Sequence, residues 1–236
     1  MVDAGSGSGV LGLFAARAGA KKVYCIEASH RFIEIIKKNA ALNGFASVVK
    51  VIHGDATKIK LPQRADVIIC ELLSTGLFYE PEIQVINHLR TFLKPNGRII
   101  PQNCKSWVQL VNAQRSVYGL YFDYDARYER LKNDNPLSTK AVFDHPNFYV
   151  EEPLYINKKV VVAAKQSGTV NAVCITSKAE LSKNVYATKS EFLFNPLTIF
   201  LKKNVAIRKG KKYRIHIQYT RSADALGTKI RITPVD

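Results

Sequence analysis

The chain has 236 residues and a mass of 26.4 kDa, enough for one large domain or two small ones whose core needs neither disulfides nor metal. Its 47% apolar and 23% charged residues are ordinary for a globular protein. No apolar run approaches the ~18 residues of a membrane span, and the N-terminus lacks the basic-then-apolar layout of a signal peptide. The net charge of +16 is uneven: 13 Lys and Arg face 8 Asp and Glu in residues 1–101, against 22 and 11 in residues 102–236. Such a balance favours polyanions without naming one.

In chain order, Met1 to Ala4 reads as a short strand, followed by the glycine-rich turn Gly5 to Gly9. Val10 to Ala18 is apolar and helix-forming, with Gly19 placed as a helix terminator. Lys22 to Ile26 reads as a buried strand. Ser29 to Asn43 carries Phe32, Ile33, Ile36, Ala40 and Ala41 at helical spacing and ends at Asn43-Gly44. Strands are predicted at Val48 to Ile52 and Ala65 to Cys70, a helix at Glu82 to Leu93 with Pro81 at its first turn, and a strand at Arg98 to Ile100 after the turn Lys94 to Gly97. Alternating strands and helices with short turns imply a parallel, doubly wound, Rossmann-like α/β sheet.

Beyond Pro101 the pattern changes to short β-rich segments: Trp107 to Val111, Lys159 to Ala164, Asn171 to Ile175, Ile199 to Ile207, Tyr213 to Tyr219 and Lys229 to Ile232. These predict an antiparallel, barrel-like unit over residues 102–236, after a first unit over 1–101. The segment from Tyr121 to Glu152 gives no clear periodicity. Cys25, Cys70, Cys104 and Cys174 form no CxxC pair, and three lie in apolar runs. They read as buried, reduced thiols of a cytoplasmic protein. His53, His88, His145 and His216 are too dispersed for metal ligands, so no metal is expected.

The segment Asp3-Ala4-Gly5-Ser6-Gly7-Ser8-Gly9 links a strand to a helix. Its glycines allow a tight turn and close approach of a ligand to the backbone. Glu27 closes the next strand, where a carboxylate can accept both hydroxyls of a ribose. Asp55 follows the third strand, near the expected position of an adenine amino group. A dinucleotide site would need GxGxxG to seat a pyrophosphate on the helix N-terminus, and the glycines here fit that pattern only in a shifted register. An acid immediately before the glycines suits a cationic sulfonium better, which favours S-adenosylmethionine over NAD.

These residues resemble the protein arginine methyltransferase family, within the class I S-adenosylmethionine-dependent methyltransferases. The likeness runs in register from residue 1 to about residue 120. VDAGSGSGVLGLFAARAGAKKVYCIEAS resembles the family's cofactor motif, and ADVIICELLSTGLFYE resembles its double-glutamate loop, with Glu71 and Glu80 nine residues apart. Leu93 to Pro101 and Val117-Tyr118-Gly119 are further agreements. The resemblance implies that Asp3, Gly5, Ser6, Gly7, Glu27, Ala28, Asp55, Ala56, Thr57 and Glu71 surround S-adenosylmethionine, with S-adenosylhomocysteine as product. It implies that Glu71 and Glu80 hold the guanidinium of a protein or peptide arginine, since two carboxylates can accept its forked hydrogen bonds. A bland alternative, that Glu80 and Glu82 merely complement a helix dipole, accounts for Glu80 better than for Glu71.

The sequence also departs from the family. It begins inside the first strand, without the family's N-terminal helices. Leu193-Phe194-Asn195 stands where the family has Thr-His-Trp, and Thr57 where it has an adenine-side glutamate, for which Asp55 can substitute. Two rival functions stay open. One is RNA methylation using the basic stretch from Lys202 to Arg214, with Tyr213 and Tyr219 as stacking platforms. The other is a non-catalytic binding protein. A homodimer, with the stretch from Tyr124 to Phe148 as a short dimerisation arm, is a further expectation of the resemblance.

Overall fold

The computed structural model describes residues 1–129, 131–190 and 193–235. Strands β1 (Val2–Ala4), β2 (Val23–Glu27), β3 (Val49–His53), β4 (Ala65–Cys70) and β5 (Leu93–Ile100) form a parallel sheet in the order β3-β2-β1-β4-β5. Helices α1 (Val10–Arg17), α2 (His30–Leu42) and α3 (Glu82–Leu89) connect them. The central strands are apolar on both faces because helices and the second half of the chain cover them: Val2, Ala4, Val23, Cys25, Ile26 and Ile68 are buried.

Both predicted helix stops are present in full. After α1, Gly19 N–H donates to Ala16 O and Ala20 N–H to Ala15 O; after α2, Gly44 donates to Ala41 O and Phe45 to Ala40 O. These are Schellman pairs, with Gly19 and Gly44 at φ of 94° and 73°. Helix α3 is shorter than its apolar pattern implies, because Arg90–Phe92 tightens into a 3-10 turn. The expected turn before the fifth strand lies inside it as a bulge: Leu93 pairs with Ala65 and Arg98 with Val67, with Asn96 at φ 62° between them.

The antiparallel half begins with β6 (Asn103–Asn112) and the small hairpin β7 (Ser116–Val117) and β8 (Leu120–Tyr121). It continues through β9 (Ala126–Tyr128), β10 (Asn135–Pro136), β11 (Ala141–Asp144), β12 (Tyr155–Ala163), β13 (Gly168–Ser182) and β14 (Val185–Ala187). The last strands are β15 (Leu197–Ile207), β16 (Lys212–Thr220) and β17 (Lys229–Val235). One sheet runs β10-β6-β13-β15-β9, with β11 also on β6 and β14 on β13; a second runs β12-β16-β17. Their inner faces share one apolar cluster, with Val108, Leu110, Val173, Ile175 and Ile199 from the larger sheet and Val162, Ile215 and Ile217 from the smaller.

A second cluster crosses between the halves. Ile68, Leu77, Ile83, Ile86 and Ile99 pack with Cys104, Phe148, Ala179 and Phe194. The segment without periodicity, residues 121–152, contains the short strands β9, β10 and β11, whose partners β15 and β6 are distant in sequence. Its turn is tied by Asp134, which accepts from the N–H groups of Gln114 and Leu131 and pairs with Arg127. All four cysteines are buried and outside disulfides. Among the described residues no helix is long and apolar enough to cross a membrane, and no three His, Cys, Asp or Glu side chains group at metal-binding geometry.

Candidate active site at the switch point

The chain leaves β1 first toward β2 and β3, then returns to place β4 on the opposite side. Such a reversal opens a crevice beyond the carboxyl ends of the strands, where doubly wound sheets bind ligands. Asp3 lies in β1, Glu27 ends β2, Asp55 to Thr57 follow β3 and Glu71 follows β4, so the topology brings these sequence-predicted residues to this end of the sheet.

The glycine turn is held from two directions. Gly5 and Ser6 donate their N–H groups to Ile26 O at 3.0 Å each, and Ser6 Oγ donates to Asp3 O at 2.8 Å. Glu27 is half-buried; its Oε2 accepts from Gly7 N–H and its Oε1 from Ser29 N–H, both at 2.9 Å. The carboxylate is thereby fixed in one orientation at the lip of the crevice. A methyl group built on Gly7 would meet no atom within 4 Å, so the space above the turn is open.

Asp3 faces the other way. It is 1% exposed, and its Oδ2 accepts from Gly12 N–H at 2.9 Å in the first turn of α1. Burial pushes its pKa up to about 6, against the lowering effect of the Gly12 and Ser6 hydrogen bonds. It braces α1 against the glycine turn rather than pointing into the crevice. Ala28 is exposed, with its carbonyl 3.0 Å from His53 Nε2. Asp55 is exposed and folds onto its own turn: Oδ1 accepts from Thr57 N–H at 2.9 Å and from Thr57 Oγ1 at 2.7 Å. These bonds hold its carboxyl below the usual range. Ala56 packs on the central cluster.

Glu71 and Glu80 line one cleft of about 400 Å³ together with Leu72, Leu73 and Leu193. Burial raises the Glu71 pKa, the Leu73 N–H opposes it, and Glu80 adds a like-charge contribution. The segment between the glutamates is strained: Leu77 and Tyr79 have φ of 57° and 63°, which side chains of this size rarely adopt, and Glu80 N–H closes a γ-turn onto Phe78 O at 2.7 Å. The β-rich half supplies the compensating bonds. Ser177 Oγ accepts from Gly76 N–H at 2.9 Å, Tyr219 Oη reaches Gly76 O at 3.0 Å, and Thr75 Oγ1 donates to Asn195 O at 2.7 Å. Ser222 N–H donates to Leu77 O at 2.8 Å, and Tyr79 N–H to Ala223 O at 3.2 Å.

Several residues in this framework escaped the sequence reading. Arg221, 1% exposed, grips Asp144 through Nε–Oδ2 at 3.0 Å and Nη2–Oδ1 at 2.6 Å, while Asp144 also contacts Tyr219 Oη at 2.9 Å. No local pattern in Tyr219-Thr220-Arg221 distinguishes such a cluster from a solvated strand end. Glu82, which the sequence presents only as a complement to a helix dipole, is the second. It stands in the first turn of α3, yet it is wholly buried beneath the cleft, with Oε2 accepting from Leu72 N–H at 2.9 Å and Oε1 without a hydrogen-bond partner among the described residues. Burial pushes its pKa up to about 8. At the site of the missing Thr-His-Trp segment, Leu193 lines the cleft, Phe194 is buried with φ 54°, and the Asn195 carbonyl holds Thr75.

Comparison with known proteins gives a consistent picture. A sequence model of a methyltransferase domain matches residues 1–188. An uncharacterized protein of Methanocaldococcus jannaschii is 32% identical over 232 residues, 98% of this chain and 85% of that protein. A protein arginine N-methyltransferase of Oryza sativa subsp. japonica is 26% identical over 201 residues, covering 79% of this chain and 52% of the rice enzyme. The histone-arginine methyltransferase CARMER of Drosophila persimilis is 40% identical over 101 residues, 43% of this chain and 19% of its own length. Among solved structures, the Trypanosoma brucei PRMT1 enzyme-prozyme heterotetrameric complex with AdoHcy superposes with a TM-score of 0.81 at 17% identity, covering 99% of this chain and 87% of that one. The chain thus spans about half of the rice enzyme and most of the archaeal protein. The chain belongs to the methyltransferase-domain family, as an enzyme of the class I fold whose relatives include protein arginine methyltransferases.

Proposed function

We propose that the chain transfers the methyl group of S-adenosylmethionine to a guanidinium nitrogen of an arginine in a protein substrate, leaving S-adenosylhomocysteine. The observation that carries this reading is the joint lining of one cleft by Glu71 and Glu80, beside a crevice whose open glycine turn and fixed Glu27 carboxylate suit a nucleoside. In that crevice Gly5, Ser6 and Gly7 give close backbone approach, Glu27 takes the ribose hydroxyls, and Ala28 with Asp55 to Thr57 flank the base. Asp3 acts indirectly, by bracing the turn through Gly12. When bound, S-adenosylmethionine supplies an electrophilic sulfonium methyl.

The residues of the chain then have two tasks. Glu71 and Glu80 accept the forked N–H bonds of the planar guanidinium and fix which nitrogen faces the methyl, a contribution of position and orientation. Glu71, whose burial raises its proton affinity, suits accepting the proton that this nitrogen releases as the new C–N bond forms. Tyr79 and Tyr128, half-exposed with ring centroids 5.5 Å apart, border the loop that carries the pair.

The test combines calorimetric titration of S-adenosylhomocysteine with transfer of labelled methyl to arginine-containing proteins, in Glu71→Gln and Glu80→Gln. Loss of transfer by a hundredfold or more with cofactor affinity retained is the expected result. Full transfer by both variants, or methylation of a residue other than arginine, would overturn the reading.

A further inference from the structure

The sheet β12-β16-β17 has one face in the core and one in solvent, and strand register assigns each residue to a face. Ile156, Val162, Tyr213, Ile215, Ile217 and Tyr219 are buried inward. On the outward face Lys159 stands directly opposite His216, and His216 directly opposite Arg231. The flanking rows are Val161, Arg214 and Thr233 on one side, and Asn157, Gln218 and Lys229 on the other; Lys212 opposes Ala163 and Val235 beyond. No carboxylate occupies this face among the described residues, and none of Lys159, Lys212, Arg214, Lys229 and Arg231 forms a salt bridge among them.

That arrangement is costly in isolation. No two of these cations stand directly opposite each other, but five positive charges share one face with no carboxylate on it to offset their repulsion. Four of the uncharged side chains are polar and oriented: Gln218 Nε2 donates to Tyr155 Oη at 2.8 Å, and His216 Nε2 lies 2.6 Å from Asn157 Oδ1. Exposed apolar surface on this face is limited to Val161 and the half-exposed ring of Tyr155. A protein partner would need larger apolar anchors for a stable interface. Cations two residues apart along a strand, about 7 Å for Lys212–Arg214 and Lys229–Arg231, and two strands apart, about 10 Å for Lys159 and Arg231, with an aromatic ring and amides among them, instead match a flexible polyphosphate chain carrying bases.

We propose that the outward face of β12-β16-β17 binds single-stranded nucleic acid, with phosphates on Lys159, Lys212, Arg214, Lys229 and Arg231 and a base against Tyr155. The exposed turn Arg208 to Lys211 extends the basic surface beyond Lys212. This face lies on the opposite side of β16 from Tyr219, which reaches inward to the glutamate loop. Nucleic acid on it leaves the glutamate cleft free, and the proposal stands whichever acceptor that cleft takes.

The experiment measures binding of short labelled single strands of RNA and of DNA to the full chain by fluorescence anisotropy, across a salt series. Lys159→Glu/Arg214→Glu/Arg231→Glu is compared with an equal charge change elsewhere, Lys38→Glu/Lys50→Glu/Lys183→Glu. The face variant should lose affinity by about tenfold or more, with the salt slope reduced by about 2, as three phosphate contacts at roughly 0.7 each require. The control should change by less than about threefold. Equal losses in the two variants, no binding of either strand by the native chain, or competition by polyglutamate as effective as by RNA would each overturn the proposal. Ultraviolet cross-linking on the native chain gives a readout independent of the variants' folding: cross-links in 155–163, 212–220 or 229–235 support it, and cross-links confined to residues 1–101 refute it.

Discussion

The phenol of Tyr219 lies 3.0 Å from the carbonyl oxygen of Gly76 and 2.9 Å from Asp144 Oδ2. A strand of the β-rich half therefore holds the middle of the loop that carries Glu71 and Glu80. The loop needs that support, since its positive φ values at Leu77 and Tyr79 persist only when surrounding bonds over-determine them. Tyr219→Phe keeps the packing against Phe78 and Phe143 and removes only the hydroxyl. It should lower stability by about 1–2 kcal/mol, the cost of an unsatisfied buried carbonyl. It should also cut methyl transfer severalfold while the affinity for S-adenosylhomocysteine stays within twofold. A fall in cofactor affinity equal to the fall in rate would show that the loop does not depend on this bond separately.

Glu82 makes the fold sensitive to pH. Its folded pKa of about 8 stands above the ordinary 4.5, so between those values the native state binds more protons than the unfolded one. Stability contributed at low pH is therefore lost as pH rises through that window, by roughly 3 kcal/mol at pH 7. Asp3, raised from 3.8 to about 6, adds the same sign over a lower range. Glu82→Gln can still offer an oxygen to Leu72 N–H but cannot ionise. Urea unfolding at several pH values should show the decline between pH 6 and 8 flattened in this variant, and the decline between pH 4.5 and 6 reduced to the share of Asp3. An unchanged slope would mean that folding does not raise the Glu82 pKa, the carboxyl being ionised in the native and unfolded states alike.

The parallel sheet was legible because its signals are local. Gly19 and Gly44 mark helix ends by a backbone conformation, and the apolar spacing of Ile33, Ile36 and Ala40 fixes the buried face of α2. Glu27 was readable for the same reason, as the last residue of a buried strand. Asp3 was visible as a site residue, but its orientation was not: whether a carboxylate faces the crevice or Gly12 depends on packing across α1. Asp144 and Arg221 were invisible because their pairing joins segments far apart in sequence, at a separation of 77; Glu82 was readable only as a helix-dipole residue, since its burial against Leu72 is a matter of packing. The stretch 121–152 failed on length, since strands of two to four residues carry too few side chains to show a period.

The Arg221–Asp144 pair offers a separate test of how the β-rich half is held together. Both side chains are nearly inaccessible, at 2% and 3%, and Arg221 also reaches Glu152 and Pro153 O. Removing one partner strands the other as a buried charge. Arg221→Met should cost about 3–5 kcal/mol, and Arg221→Met with Asp144→Leu should recover part of that loss. Denaturant midpoints of the single and double variants give the coupling energy directly. Additive losses would show that the pair is not a unit.

Two glycines of the first helix–turn unit separate folding from cofactor binding. A methyl group on Gly12 would sit 2.5 Å from Cys25 Sγ and 3.2 Å from Asp3 Oδ2, so Gly12→Ala must push α1 off β2. It should destabilise by about 1–3 kcal/mol, and Cys25→Ala in the same chain should restore part of the loss by removing the clashing sulfur. Gly7 differs. Its φ of 52° disfavours a side chain by about 1–2 kcal/mol, but an added methyl would meet nothing within 4 Å. That methyl would project into the open side of the turn. Gly7→Val should therefore lower the affinity for S-adenosylhomocysteine by tenfold or more, a larger effect than its backbone strain has on the denaturant midpoint. Calorimetric titration of the folded variant distinguishes the two effects: near-native affinity in Gly7→Val would place the nucleoside away from this turn.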